Sequence, residues 1–226
     1  MTDDPPILPI TPAEEAWLVA KCAHLDRLAA DVENEKTLEA PRDWPLVFLD
    51  LDDVVAVNEH YGGLDALDAI RGKRIDADLV FERLWSPMAR EILVDLHARH
   101  QGRLRWVISS TWRLNFTRAQ LREVMRRSGL ACVADGIEPK ERWSTPHFPE
   151  LTRCHEVLDW LRNHHRGEPY VILDDVYSWG RSAYIAPGVE VPRTRLVLCE
   201  EWIGLQLRHW PRIVAALSKP CSDLAS

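Results

Sequence analysis

Short apolar runs that stop abruptly at polar residues recur along this chain, and stretches of helical spacing fill the intervals between them. The first run, Leu46 to Leu49, follows Pro45 and ends in Asp50. An uninterrupted apolar run bounded in this way reads as a central strand buried on both faces. Leu104 to Ile108 is a second strand and runs into Ser109-Ser110. Leu130 to Val133 reads as a short third strand, Tyr170 to Leu173 as a fourth that ends in Asp174-Asp175, and Leu196 to Leu198 as a fifth.

Helix signals alternate with these strands. Thr11 as N-cap, Pro12 at the first helical position and Glu14 in a capping box open a helix that continues to about Asn34, with Trp17, Leu18, Leu25, Leu28 and Val32 on its apolar face. Ser86-Pro87 opens another, with Met88, Ile92, Leu93 and Leu96 inward. Thr117 and Gln120 form a capping box for a third that Gly129 stops. Leu151 to His165 presents Val157, Leu158 and Leu161 inward, and Leu205 to Leu217 is a closing helix that Pro211 should shorten or kink. Residues 64–84 leave room for a short helix or hairpin but not for a large lid, and residues 134–150 read as loop. Strands alternating with helices predict an α/β fold: a doubly wound, mostly parallel sheet with helices on both faces. Residues 1–44 are a tail and helix packed on the main domain, 45–217 the main domain, and 218–226 a polar tail.

Composition narrows the class. The 226 residues are 46% hydrophobic and 28% charged, an ordinary globular mix able to bury a core. A net charge of −7 argues against gripping nucleic acid by bulk electrostatics. Five scattered cysteines without a CxxC pair suit a reducing, cytoplasmic setting better than a disulfide framework or a zinc site. No apolar stretch approaches the ~20 residues of a membrane span.

Three polar clusters each follow an apolar strand: Asp50/Asp52, Ser109/Ser110 and Asp174/Asp175. In a doubly wound sheet the carboxyl ends of the strands form the ligand crevice, so all three converge. Clustered carboxylates repel one another, and a divalent cation with oxygen ligands is the usual remedy. Phosphoryl transfer through an aspartyl-phosphate fits this set. Asp50, last in its strand, suits the nucleophile. Asp52 can protonate the leaving oxygen and then take a proton from water. Asp174 and Asp175 complete a Mg²⁺ site that offsets the repulsion between carboxylate and phosphate. Ser109 donates to the phosphoryl oxygens, and an Arg or Lys is needed beside them.

VFLDLDDVV, WVISSTWR and VILDD, in this order, resemble motifs I, II and IV of the haloacid dehalogenase (HAD) superfamily. The SSTWR stretch, Thr145-Pro146, and Arg153 ahead of Glu156-Val157 and Trp160-Leu161 are similar to the HAD domain of Swiss Army Knife RNA repair proteins. The resemblance implies a HAD-like fold without a large cap and a Mg²⁺-dependent phosphatase. Its partner is a phosphorylated small molecule or a nucleic-acid end. Asp50 is then nucleophile and metal ligand, Asp52 acid/base with its carbonyl on the metal, Ser109 the motif II hydroxyl, and Asp174 and Asp175 metal ligands. Arg153 takes the place of the motif III lysine, with Lys140 as its competitor. Ser110 competes with Ser109, and Arg113 is a phosphate contact or an ion-pair partner of an acidic neighbour. Asp53 stands where many members have Gly and is a bystander. Asn58, His60, Tyr61, Trp179 and Arg181 are candidate substrate contacts, and His164-His165 a solvated helix end. Two other readings stay open. One is a HAD-fold binding or regulatory module without turnover. The other is a receiver-like phosphoacceptor domain, whose middle strand Leu130–Val133 would lead to Asp135.

Overall fold

The computed structural model describes residues 44–57, 60–183 and 191–218. The helix expected over residues 11–34, Asn58, the side chain of Arg181 and nearly all of the polar tail lie outside the described residues.

Four strands, β1 (Leu46–Leu49), β2 (Arg105–Ile108), β3 (Tyr170–Asp175) and β4 (Leu196–Cys199), form one sheet in the order β2-β1-β3-β4. Every pairing is parallel. β1 lies inside the sheet, and the chain steps from it to β2 on one side and then to β3 on the other. The topological switch therefore lies at β1, and the ligand crevice of such a sheet lies at its carboxyl end.

The apolar run of β1 is explained by burial on both faces. Val47 and Leu49 join one core layer with Trp106, Ile108, Val171 and Leu173. Leu46 and Phe48 join the other with Val107, Tyr170 and Ile172. Phe48 meets Trp160 and Tyr170 edge-on, with ring centroids 5.2 and 6.1 Å apart. Contacts of this geometry contribute about 0.5–1.5 kcal/mol each beyond the area they bury.

The first layer is covered by α1 (Gly63–Ile70), α2 (Ala77–Arg83), α3 (Pro87–Arg99), α4 (Arg118–Arg127), α5 (Ala131–Gly136) and α8 (Trp210–Leu217). The second is covered by α6 (Arg153–His164) and α7 (Val176–Ala183). The Ser86 N-cap of α3 and the Thr117–Gln120 capping box of α4 form as their sequences require. Pro211 sits in the first turn of α8, so the closing helix starts there, after a 3₁₀ turn at Leu207–His209. Among the described residues, the insert between β1 and α3 forms the two short helices α1 and α2. No helix among the described residues is long and apolar enough to cross a membrane.

Three expectations are corrected. Leu130–Val133 is not a strand: Leu130 caps α5, and Val133 and Ala134 donate to its carbonyl at 3.0 Å. A four-residue apolar run carries no period that separates strand from helix. The edge of β2 is met instead by single bridges from Ile137 and Ser144, inside the segment read as loop. The receiver-like alternative loses its middle strand with this change, and Asp135 is an exposed partner of Arg126 at 2.9 Å. Next, β3 continues through Asp174 and Asp175, because both pair with β4. Finally, the His165 side chain is buried, its Nε2 2.8 Å from the Glu168 carbonyl, and not solvated.

Candidate active site

The strand ends supply the site. Asp50 follows β1 directly, with its N–H donating to the Leu173 carbonyl at 2.9 Å. Ser109 follows β2, its N–H donating to the Leu49 carbonyl at 2.8 Å. These backbone ties hold both residues at the carboxyl edge of the sheet. Asp174 and Asp175 reach the same edge as the last residues of β3. Asp50, Asp174 and Asp175 are all buried, and one oxygen from each lies within 4.8 Å of the others.

Such packing is electrostatically costly without a counter-charge. Burial, partly offset by Arg153, pushes the Asp50 carboxyl up to about 7, although the Leu51 N–H donates to it and the nearby Ser110 side chain also favours its charged form. Burial, reinforced by Asp50, also raises Asp174 well above the ordinary carboxylate range. Arg153 is the cation the fold brings in. It lies at the start of α6, is itself buried, and places Nε 3.7 Å from Asp174 Oδ2 and Nη1 3.7 Å from Glu156 Oε2. Burial alone would lower its pKa, but Asp50, Asp174 and Glu156 outweigh burial and raise it. Lys140, the competing candidate, is exposed on the 3₁₀ turn Lys140–Trp143. Buried polar atoms left without a hydrogen bond cluster here as well: Ser109 Oγ, Arg153 Nε and Nη1, and Asp174 Oδ2. Native interiors seldom leave such atoms unsatisfied. Oxygen donors in this arrangement fit a hard divalent cation, and the idle serine and guanidinium donors fit an anion.

Arg113 is turned away to a structural task. Nη2 meets Glu156 Oε2 at 2.6 Å and the Pro146 carbonyl at 3.2 Å, while Nη1 donates to the Ser110 carbonyl. Glu156 also accepts from the Phe148 N–H at 3.2 Å and lies 3.1 Å from His147 Nδ1. SSTWR, Thr145-Pro146 and α6 are thereby stapled around one buried carboxylate. That explains why these distant stretches occur together in the sequence.

Asp52 and Asp53 part company in the turn after β1. Asp52 is half-buried, and burial raises its carboxyl, opposed by the Trp112 hydrogen bond. Asp53 adopts a left-handed backbone, φ +55°, and its Oδ1 accepts from the Trp202 N–H at 2.9 Å. Asp tolerates this region far better than most residues, which is why it can stand in a place that also suits Gly. It is a turn-holding residue and not a bystander. Trp179 is buried in the second core layer, and Tyr61 packs on the first. Cys199, buried behind the acids, has its thiol pushed up to about 12 and stays protonated.

The family description "HAD domain in Swiss Army Knife RNA repair proteins" matches residues 46–210, from the first residue of β1 to the first of α8. This chain belongs to that HAD family. No curated protein and no solved structure matches it. In this HAD domain the match contains every strand and every residue of the site just described. Reading the sequence missed two contacts within it: the Ser110 hydroxyl on Asp50 and the Trp112 indole on Asp52. Both residues were visible in SSTWR, but which way they face depends on the turn after β2.

The shifted Asp50 makes a prediction about stability. An unfolded Asp ionises near 3.8, whereas the folded one holds its proton to about 7. The folded state therefore binds the extra proton between these values, and stability falls as pH rises through that window, by as much as roughly 4 kcal/mol from this group alone. Without divalent cations, the wild-type protein should lose stability relative to Asp50→Asn between about pH 4 and pH 7 in urea melts. Parallel pH dependences in the two proteins would show that Asp50 is not the strained group.

Proposed function

We propose that this HAD domain is a Mg²⁺-dependent phosphohydrolase that works through an aspartyl-phosphate on Asp50. The observation that carries this reading is the convergence of three buried carboxylates with Arg153 and an unsatisfied Ser109 hydroxyl at one strand edge. A divalent cation held by Asp50, Asp174 and Asp175, with the Asp52 carbonyl, would offset the repulsion between carboxylate and phosphate.

The residues then divide the work. The free Asp50 oxygen attacks phosphorus as the bond to the leaving oxygen breaks, and Asp52 gives that oxygen its proton. In the second half, Asp52 takes a proton from water, whose oxygen attacks phosphorus and releases Asp50. Ser109 and Arg153 hold the phosphoryl oxygens, with Ser110 steadying the nucleophile. The family's description points to a nucleic-acid end as the phosphate carrier. The insert of two short helices leaves the crevice open to a substrate of that size, and the net charge of −7 means local contacts must do the gripping.

The test is phosphate release from p-nitrophenyl phosphate, nucleotides, sugar phosphates and oligonucleotides phosphorylated at either end. Removing divalent cations with a chelator should abolish turnover, and millimolar Mg²⁺ should restore it and raise the melting temperature. Undiminished turnover in chelator, or no release from any substrate, would defeat the reading.

A further inference from the structure

The indole of Trp112 donates from Nε1 to Asp52 Oδ1 at 2.9 Å. An indole N–H can only donate, so this oxygen is committed as an acceptor. The other oxygen, Oδ2, lies 3.5 Å from the Thr111 hydroxyl, at the exposed lip of the crevice. A proton carried by Asp52 therefore belongs on Oδ2, the oxygen that the indole leaves free.

The indole is held by its neighbours. It is stacked between Trp85 and Phe116, with ring centroids 5.5 and 5.3 Å away and planes inclined by 30° and 15°. Its N–H edge is closed off by the first residue of α1. A Cβ on Gly63 would meet Trp112 Cε2 at 2.7 Å and Nε1 at 2.8 Å, closer than a Cβ approaches other heavy atoms in real proteins. Gly63 has no positive φ, so space and not backbone conformation requires the glycine here. Gly62-Gly63 had no role in the chemistry read from the sequence, and this contact gives it one.

We propose that Trp112 is a positioning residue for the phosphohydrolase reaction: clamped by Trp85, Phe116 and the glycine start of α1, it turns Asp52 so that Oδ2 faces the leaving oxygen. The insert after β1 thereby acts on the acid/base through one aromatic ring. This rests on the phosphohydrolase reading, with Asp52 as its acid. During cleavage the electron pair of the phosphorus–oxygen bond leaves with the ester oxygen, and the proton on Asp52 Oδ2 neutralises it. A p-nitrophenolate leaves without that proton, whereas an alkoxide does not.

Leaving-group dependence therefore separates positioning from general damage. Two variants are compared with wild type: Trp112→Phe, which keeps a stacked ring but loses the N–H, and Gly63→Ala, which keeps every functional group but pushes the indole. In both, kcat/KM for glycerol phosphate should fall about 10- to 100-fold, while that for p-nitrophenyl phosphate stays within about threefold. Equal losses on the two substrates, or no loss on either, would overturn the proposal. A second readout needs no turnover. The Trp112 indole proton, identified by its absence from the NMR spectrum of Trp112→Phe, should shift in Asp52→Ala and in Gly63→Ala. An indole resonance indifferent to Asp52→Ala also overturns it. If wild type hydrolyses neither of these nor any substrate of the wider panel, the reaction reading fails, and the indole resonance still decides whether Trp112 holds Asp52.

Discussion

Asp50→Asn should lower kcat for phosphate release by at least about 10³-fold, because an amide is not a competent nucleophile toward phosphorus. The same substitution should stabilise the protein when divalent cations are absent. It removes one of three carboxylates that share a buried site, along with the desolvation that pushes Asp50 up to about 7. Opposite signs are the diagnostic feature. A substitution that merely damaged the fold would lower activity and stability together, whereas one that removes a strained nucleophile lowers the first and raises the second. Turnover and a urea midpoint, both at pH 8, decide the matter. Wild-type turnover in Asp50→Asn would exclude an aspartyl-phosphate on this residue.

Arg153→Met should be the most damaging change on the other side of the ledger. Arg153 is buried, 3.7 Å from Asp174, and its charge is what moderates both Asp50 and Asp174. Removing one partner of a buried ion cluster leaves the rest uncompensated and typically costs about 3–5 kcal/mol. Losing a charge aimed at a developing transition state costs roughly 10²–10³ in rate. We therefore expect a large drop in the urea midpoint without divalent cations at pH 8, partly recovered by Mg²⁺, and a loss of kcat/KM that Mg²⁺ does not recover. Arg153→Lys should keep most of the stability and part of the rate, because a lysine supplies the charge without the planar fork. If Lys140→Met rather than Arg153→Met abolished turnover, the assignment of the phosphate-binding cation would reverse.

How legible each part was follows from the range of the interaction behind it. β1 could be read from an uninterrupted apolar run, and β2 and β3 from runs broken only by Arg105 and by the terminal acids, because burial on both faces favours apolar residues. The caps Ser86 and Thr117 were legible because capping is settled within one turn of helix. Leu130–Val133 was misread because a run that short leaves the choice to its packing, and packing on α4 and β2 made it helical. Arg105 interrupts an apolar strand without being a misfit. It reaches Glu168 at 2.6 Å and Glu138 at 3.3 Å, residues 63 and 33 positions away in sequence.

The candidate site divides in the same way. That acids and serines gather at one edge followed from the sequence alone, since each cluster ends its own strand and parallel strands end on the same side of the sheet. Which cation joins them did not. Arg153 and Lys140 both lie on the chain between β2 and β3, and only the packing of α6 places one among the carboxylates and leaves the other in water. The orientation of Arg113, the approach of Ser110 to Asp50 and the contacts from Gly63 through Trp112 to Asp52 were likewise decided by tertiary structure. Strand periodicity specifies where a backbone segment ends. The direction of a buried charged or aromatic side chain depends on partners dozens of residues away, and only the assembled sheet and its helices bring those partners together.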